Sequence, residues 1–279
     1  MVTTIYGGFD FTIYTSDDTD GADATPRGIT TRINPILDTS NINIRGTGNR
    51  GLYDILLGMR QPQFTMDILP SEMKFITLYQ NGQNGPGRLH LKQTVGDGLT
   101  FKEPRFNRVS VEARHNEAIS ATIEVWAESL QDLTTQSWDP FTAFEPYRWL
   151  HSTLDIGTET EDAWWSWRYE VNNNFQRLGN VDDGGTRAIK PRHREVTGLI
   201  VKDLASFSEW VDLMILEPDD PDLDKFDITI QVDGLDGPSS GGTAWMIKQP
   251  YCRWGRLEAP FGPEDLIAKR FPFTALDIT

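Results

Sequence analysis

The sequence contains one short pattern twice, and this repeat limits the possible folds more than any other feature. The segment FKEPRFNRVSVEA at 101–113 resembles IKQPYCRWGRLEA at 247–259. Four residues recur at a constant offset of 146 positions: Lys102, Pro104, Glu112 and Ala113 return as Lys248, Pro250, Glu258 and Ala259. Self-similarity at a fixed spacing indicates similar structural units within one chain.

Two further pairs of segments match in the same order. ISATIEVWA (119–127) corresponds to LIAKRFPFT (266–274) after a one-residue shift, and QFTMDILPSEMKFITLY (63–79) corresponds to EVTGLIVKDLASFSEWVDLM (195–214). The first pair alternates apolar and polar residues, as strands with one buried face do. Each member of the second pair predicts a strand followed by a short amphipathic helix.

The matches together predict an internal duplication. A chain of 279 residues has room for two domains of ordinary size. We predict a first domain at 1–140 and a second at 141–279. The two prolines of WDPFTAFEP (138–146) mark the linker between them.

The two helices are predicted from caps and spacing. Ser206 and Glu209 form a capping-box pattern in the second copy, and Ser71 can cap the helix of the first. The residues expected to face inward are Phe75, Ile76 and Tyr79 in the first copy and Phe207, Trp210, Val211 and Met214 in the second.

Most other segments predict strands. These segments are FDFTIYT, SNINIR, RLHLKQTV, NRVSVEAR, WWSWRYEV, TGLIVKDL and DITIQV. Clusters of Gly, Pro, Asn and Asp separate them, as expected of turns. The sequence therefore predicts a mainly β chain with few helices.

The composition argues against several classes of protein. The chain has no apolar run of about 18 residues, and MVTTIYGGFDFTIYTSDD lacks the basic flank and apolar stretch of a signal peptide, so we expect no membrane insertion. The single cysteine, Cys252, excludes an internal disulfide and a cysteine-rich metal site. A formal net charge of −15 argues against tight wrapping of nucleic acid, which needs clustered Lys and Arg.

One glycine-rich segment resembles a nucleotide-binding turn. GTGNRG at 46–51 matches G-x-G-x-x-G, and Asp67 lies at a suitable distance. A first Rossmann strand is buried on both faces and therefore continuously apolar. The preceding SNINI instead alternates asparagine with isoleucine, so the pattern favours a hairpin loop.

Two other motifs admit a functional and a structural interpretation. WWSWRYEV (164–171) would place Trp165, Trp167, Tyr169 and Val171 on one strand face, which suits sugar stacking if exposed and a core or subunit contact if buried; we favour the second. Asp220, Asp222 and Asp224 resemble the start of a calcium loop. Lys225 replaces the expected glycine and no glutamate closes the loop, so a solvated acidic turn is favoured.

No motif makes a positive case for an enzyme. The histidines His90, His115, His151 and His193 are scattered, and the chain lacks the H-E-x-x-H, G-x-S-x-G and P-loop patterns. The paired carboxylates of glycoside hydrolases need not be close in sequence, so they stay an open alternative. We expect no enzymatic activity and no cofactor.

One basic segment stands out in an acidic chain. TRAIKPRHRE (186–195) contains Arg187, Lys190, Arg192 and Arg194. It is either a docking patch for an acidic surface, including that of another copy of the chain, or an exposed hairpin that solvates its charges.

The segment YEVNNNFQRLGNVDDGGTRAIKPRHREVTGLIVKDLASFSEWVDLM (169–214) resembles the core of the tail tube proteins of tailed bacteriophages and archaeal viruses. The shared pattern is an alternating strand ending in an asparagine turn, a long loop, a charged arm, a T-G-x-I/L strand and a short helix. The first half, from RINPILDTSNINIRG to ITLY, shows the pattern more faintly.

The resemblance implies two tandem β-sandwich or barrel domains, each with a short flanking α-helix, whose sheets join edge to edge around a channel. With a duplicated domain, three chains would supply the six domains of one ring, and stacked rings would form the tube through which viral DNA passes. Arg187, Lys190, Arg192 and Arg194 would then be candidate contacts between stacked rings.

The resemblance also implies partners and a location. The partners would be further copies of the chain and the tape-measure, tail-tip and tail-terminator proteins, with no specific DNA binding and no membrane. The chain would lie in the virion tail and, before assembly, in the host cytoplasm. The alternative is a carbohydrate-binding or glycan-hydrolysing β-sandwich, which exposure of Trp165 and Trp167 beside carboxylates would favour.

Overall fold

The structure is a computed structural model in which nearly all regular structure is β. It describes residues 11–16, 23–38, 42–44, 54–56, 61–70, 76, 79–80, 82, 85–93, 98–133, 137–138, 145–179, 186–203, 225–233, 243–255 and 268–275. All seven segments predicted as strands contain strands. Within the described part of the chain, no helix has the length and apolar character needed to cross a bilayer.

The strands of the first half are β1 (Phe11–Ser16), β2 (Asp23–Pro26), β3 (Gly28–Asp38), β4 (Ile42–Ile44), β5 (Asp54–Leu56), β6 (Gln61–Pro70), β7 (Arg88–Gln93), β8 (Gly98–Lys102), β9 (Arg105–Arg114), β10 (Ser120–Trp126), β11 (Ser129–Asp132) and β12 (Ser137–Trp138). After a 3-10 turn at Trp149–His151, the second half contains β13 (Ser152–Ile156), β14 (Glu159–Thr160), β15 (Trp164–Asn172), β16 (Gln176–Gly179), β17 (Thr186–Lys190), β18 (Glu195–Asp203), β19 (Phe226–Asp233), β20 (Thr243–Trp254) and β21 (Ala268–Ala275).

Little of the two predicted helices falls on described residues. Ile76 and Tyr79 are helical and buried in the core, as the sequence predicted. The N–H of Gln80 donates to the carbonyl of Ile76 at 2.9 Å, which is the spacing of an α-helical bond. The remaining residues of both helices lie outside the described part of the chain, so the helices themselves stay predictions.

One large sheet contains strands from both halves of the chain. Its eleven strands follow the order β14-β13-β19-β20-β21-β18-β15-β9-β10-β6-β3. The run β20-β21-β18-β15 comes from the second half and is followed by β9-β10-β6-β3 from the first. The two runs follow the same pattern of chain order. In each run, the strand that comes third in sequence is followed across the sheet by the fourth, the second and the first.

Rows of residues that pair across neighbouring strands show which residues of the two runs correspond. In the first half Phe106, Val125, Phe64 and Pro35 form one row. In the second half the corresponding row is Cys252, Ala275, Val196 and Val171. Phe106 and Cys252 are separated by the same 146 positions as the repeated residues in the sequence, so the sequence repeat and the strand repeat coincide.

The repeated Lys-x-Pro lies where the chain changes strand partners. Lys102 pairs with β7 and, after Glu103 with φ 47°, Arg105 pairs with β10. In the second half Lys248 pairs with β19 and, after Tyr251 with φ 56°, Cys252 pairs with β21 while it still pairs with Phe226 of β19. A proline cannot donate to a ladder, so it suits an irregular position at which a new strand partner joins.

The one-residue shift assumed for the match of 119–127 to 266–274 does not hold. It would place Ile123, which is fully buried, opposite Arg270, which is exposed. The rows instead align Val125 with Ala275, and both are buried. The two alignments differ by three residues, and because side chains alternate faces along a strand, an odd error exchanges the core face for the solvent face.

A second sheet covers the first-half part of the large sheet. Its six strands follow the order β11-β8-β7-β1-β2-β12. Phe64 of the large sheet meets Phe101 of the small one with ring centroids 4.5 Å apart. The apolar faces of the two sheets form a sandwich, and the hydrophobic core continues without a break into the second half.

The glycine of the T-G-x-I/L strand provides space for an aromatic ring. A Cβ on Gly198 would lie 2.2 Å from Cζ of Phe273, which is far inside van der Waals contact. Phe273, paired with Gly198 on the neighbouring strand, is buried. The small residue at this position therefore lets β18 and β21 pack without displacing the ring.

Trp138 covers the outer face of the small sheet. It packs edge-on against Tyr14 and His90, and the ammonium of Lys92 lies 4.7 Å from the centre of its indole ring. Under this cover His90 is fully buried, with Nδ1 2.9 Å from Oγ1 of Thr100. Trp138, the first residue of the predicted linker, thus packs with the first half.

His90 should make folding sensitive to acid. Burial, with a smaller contribution from the charge of Arg88, lowers the pKa of His90 from 6.5 to about 4. Between these values the unfolded chain binds a proton that the folded chain does not, so stability falls as the pH drops from about 6.5 to 4, by roughly 3 kcal/mol in full. Urea unfolding across this range should show the loss, and His90→Gln should remove most of the slope. An unchanged slope in the variant would assign the effect to other groups.

Candidate interaction surfaces

The junction between the two halves is a full antiparallel strand pair. β15 and β9 pair from Ser166↔Arg114 to Asn172↔Arg108 without a break in register. At the two ends, the N–H of Asn173 donates to the carbonyl of Asn107 at 2.8 Å and that of His115 to the carbonyl of Trp165 at 2.7 Å. We call this β15–β9 pair the seam.

The core side of the seam is buried and mostly apolar. The side chains there, all with no solvent exposure, are Trp167, Tyr169 and Val171 on β15 and Val109, Val111 and Ala113 on β9. Directly opposed apolar side chains of this kind stabilise an antiparallel pair. The two halves are therefore joined by a regular strand pair with a buried apolar side.

The solvent side of the seam is joined by charged groups. The carboxylate of Glu170 accepts from Arg108 at 2.6 Å and from Arg168 at 2.5 Å. Arg168 also donates from Nε to the hydroxyl of Ser110 on the opposite strand at 3.0 Å. One carboxylate thus holds an arginine from each half of the chain.

An asparagine closes one end of the seam. The side-chain amide of Asn173 is buried and donates to the carbonyls of Phe106 at 2.8 Å and Gln80 at 3.0 Å. Asn174 follows with φ 46°, a left-handed conformation that asparagine tolerates better than most residues. The asparagine turn of the sequence pattern is therefore the corner at which β15 leaves the sheet.

The solvent face around the seam is polar but nearly balanced in charge. A shallow cleft of about 320 Å³ lies on β6, β10, β9 and β15, and two arginines, two glutamates and four hydroxyl side chains line it. Two further ion pairs flank it, Arg114–Glu112 at 2.7 Å and Arg32–Asp67 at 2.7 Å. The arginines of this face are held by carboxylates, so it is not a strongly basic surface.

The basic segment lies on and after a β-hairpin arm formed by β16 and β17. Arg177 of the arm lies over the Trp126 ring at 4.5 Å and donates to the carbonyl of Pro62 at 3.1 Å, which fixes the arm to the first half. Ile189 is buried beneath it. Arg187 and Lys190 on the arm and Arg192 just beyond it are exposed, whereas Arg194 is half-buried.

The aromatic row differs from its predicted arrangement. A register shift between Trp164 and Ser166 places Trp164, not Trp165, on the buried side with Trp167. Trp167 stacks on Trp245 at 6.0 Å, and Trp165 is half-buried with its indole N–H donated to Asp203. The row is core, as favoured, but the expected inclusion of Trp165 is wrong because the irregularity turns that side chain outward.

The other sequence motifs form no nucleotide-binding or calcium-binding site in the described residues. GTGNRG lies outside them, yet it connects β4 to β5, which pair antiparallel; a nucleotide-binding turn would lead into a helix. Asp67 instead holds Arg32 and accepts from Thr122 at 2.7 Å. Asp220, Asp222 and Asp224 also lie outside the described residues.

The described residues show no cluster of His, Cys, Asp and Glu that could hold a metal ion. The described histidines lie on separate elements, and His151 accepts from the N–H of Arg148 at 3.1 Å. Burial raises the pKa of the Cys252 thiol to about 12, so it stays protonated at neutral pH.

Comparisons with known proteins give little beyond this geometry. No protein-family model matches the chain, and no curated protein matches it. Among solved structures, one similar chain is the tube-terminating cap of the anti-feeding prophage, with 15% sequence identity and a TM-score of 0.37. The similarity covers 50% of this chain and 94% of that one. At this TM-score and identity it carries no argument about what the chain does.

Replacement of Glu170 by Gln should weaken the seam. The change leaves Arg108 and Arg168 facing each other without their shared carboxylate, and because both arginines are partly exposed we expect a loss of about 1 kcal/mol in the free energy of unfolding. Urea denaturation measures it, with Glu159→Gln, an exposed carboxylate on β14, as the matched control. Equal midpoints for the two variants would show that the charge cluster does not stabilise the seam.

Proposed function

We propose that this chain is a structural subunit of a phage-type tail tube, in which three copies form a ring and rings stack around a channel. The observation that carries the proposal is the seam, where two sheets with the same strand order join edge to edge within one chain. A ring of such units needs this contact at every junction. A duplicated chain supplies half of the junctions internally.

The division into domains at 1–140 and 141–279 is part of the proposal. The repeated order β20-β21-β18-β15 and β9-β10-β6-β3 and the matching rows of paired residues support two similar units. If the same step relates successive units around an axis, a ring of six units contains three chains.

The polar face around the seam suits the wall of a DNA channel. Phosphates bind to unpaired Lys and Arg and release counterions on doing so. Here the named arginines are held by carboxylates at 2.5–2.7 Å. A wall of paired charges would let DNA pass with weak binding. The balance of positive and negative charge on this face arises from its ion pairs and not from the total charge of −15.

The hairpin arm is the proposed contact between rings. The stacking of Arg177 on Trp126 fixes its base, and Arg187, Lys190 and Arg192 are exposed beyond it. In a chain of net charge −15, an exposed basic group fits an acidic surface on another copy. Half-buried Arg194 would contribute less to this contact than the other three.

In this function the chain is not an enzyme and needs no cofactor. Its partners are further copies of itself and the proteins that measure, start and end a tail, in the virion and, before assembly, in the host cytoplasm. A glycan-binding role would need an exposed aromatic platform, but Trp167 is fully buried and Trp165 is half-buried. The positions of these two side chains do not favour that alternative.

The assembly state tests the proposal directly. Negative-stain electron microscopy of the concentrated protein should show rings or tubes with a central hole, and mass photometry should give three chains per ring. Rings of six chains would keep the tube but contradict the pairing of two units per chain. A chain that stays monomeric at high concentration, with a tail-tip complex supplied as nucleus, would contradict the function.

Charge reversal on the arm should separate stacking from ring formation. The double variant Arg192→Glu, Arg194→Glu should form rings that do not lengthen into tubes, because it places acidic groups against the proposed acidic surface. Tube length in micrographs measures this. Arg270→Glu, an exposed reversal away from the arm, is the control. Tubes of ordinary length in the double variant would show that the arm does not set the stacking.

A further inference from the structure

A groove of about 240 Å³ lies at the end of the seam where β15 begins. Its apolar lining is Trp149 and Leu150 of the 3-10 turn and Trp164 of β15. Three hydroxyl side chains and the carboxylates of Glu161 and Asp162 form the rest of the lining. We propose that this groove binds the hairpin arm of a second copy of the chain. The inference rests on the proposed function and names the acidic surface that receives the arm.

The chain beside the groove is acidic. Residues 153–162 contain four carboxylates and no basic residue. Lys202 holds one of these carboxylates, Glu161, at 2.8 Å. Glu159 and Asp162 are exposed, and neither forms an ion pair with another residue in the described part of the chain. The rim of the groove therefore carries negative charge that can meet a basic side chain.

An aromatic cluster supports the groove. The ring of Trp149 lies 5.0 Å from that of Trp164 and packs edge-on against His115 at 4.5 Å. Arg148, next in sequence to the turn, is held by Glu145 at 2.6 Å and adds little net charge. Tryptophan rings accept both aliphatic side chains and the cationic groups of Lys and Arg. The groove is therefore preformed for a ligand that combines apolar and basic side chains.

The outward face of the arm follows from its strand register. Leu178 pairs with Ala188, whereas Arg177 pairs with Ile189, so the two pairs lie on opposite faces of the hairpin. The second pair faces the first half of the chain, because Ile189 is buried and Arg177 stacks on Trp126. Leu178 and Ala188 therefore face outward.

Basic side chains lie around this apolar spot. Lys190 is on the same outward face as the Leu178–Ala188 pair and is exposed, as are Arg187 and Arg192. The segment 176–195 contains five Lys and Arg residues against three Asp and Glu residues. The arm is therefore net positive where the groove is net negative.

The two surfaces match in apolar character as well as in charge. Leu178 on the arm is 42% exposed and Leu150 in the groove is 56% exposed. Single exposed leucines are ordinary on protein surfaces. Here, however, one leucine lies among basic groups and the other among acidic groups, so a contact between them would bury both and bring opposite charges together.

The arm and the groove lie at opposite ends of β15. The groove is at Trp164, where the strand begins, and the arm follows Asn172, where it ends. The nine residues of the strand separate these ends by roughly 27 Å. Because Arg177 fixes the base of the arm to the first half, Leu178 does not reach the groove of its own chain. The occupant is therefore the arm of another copy.

This placement suits stacked rings. Hydrogen bonds between strands run across the strands, so a ring that closes by strand pairing has its strand ends at its two open faces. One open face would then present the arms and the other the grooves. A contact between two different surfaces is head-to-tail and repeats from ring to ring, which gives a tube of any length.

Charge reversal at the groove tests the inference. The double variant Glu159→Lys, Asp162→Lys should form rings that do not stack, because its rim repels the arm. Each exposed pair is weak alone, but three contacts per ring act together, so we expect a loss of tubes of roughly 10-fold or more. Asp132→Lys, an exposed carboxylate on β11, is the matched control and should give tubes of ordinary length in micrographs. Ordinary tubes from the double variant would overturn the inference and leave the tube function standing.

A mixing experiment shows whether the arm and the groove meet each other. The arm variant Arg187→Glu, Lys190→Glu should also form only rings, because its acidic arm repels the acidic groove. Mixed with the groove variant it should form tubes, since each ring then meets a neighbour of opposite charge at both faces. A mixture that stays as single rings would overturn the inference. Rings of the unmodified chain that never stack would do the same, whereas the absence of any rings would overturn the proposed function as well.

Discussion

A β-sheet is stable only when the backbone groups along its edges have partners, and this requirement governs the whole molecule. An edge strand presents a row of N–H and C=O groups that must meet water or another strand. Here one such row, on β15, is satisfied by β9 of the other half of the same chain. The two half-chains cannot be separated without exposing that row and the buried side chains of Tyr169 and Val171.

The remaining features follow from the seam. Because β9 must reach β15 in the large sheet while β8 stays with β7, the chain bends at Glu103 and Pro104. Because β15 must leave the sheet after the seam, Asn173 turns inward and its side-chain amide donates to the carbonyls of Phe106 and Gln80. The Arg–Glu cluster then joins the polar side of the same two strands.

The sequence predicted which segments are strands and missed details that depend on local irregularities. Alternation of apolar and polar residues identified β1, β7, β9 and β18, because one face of each must be buried. The same alternation placed Trp165 wrongly, since a bulge at Trp164–Ser166 interrupts the period of two. The match of 119–127 to 266–274 failed by three residues for a related reason: at low identity, the sequence does not show which face of a strand meets the core.

The sequence by itself determined the predominance of strands, because a period of two is a local signal, and its repeated segments predict a duplication. Only the tertiary structure decided that the two units share one sheet, that β15 lies beside β9, and that Glu170 holds an arginine from each half. Strand partners far apart in sequence are chosen by the fit of whole faces and edges, and no local pattern encodes that fit.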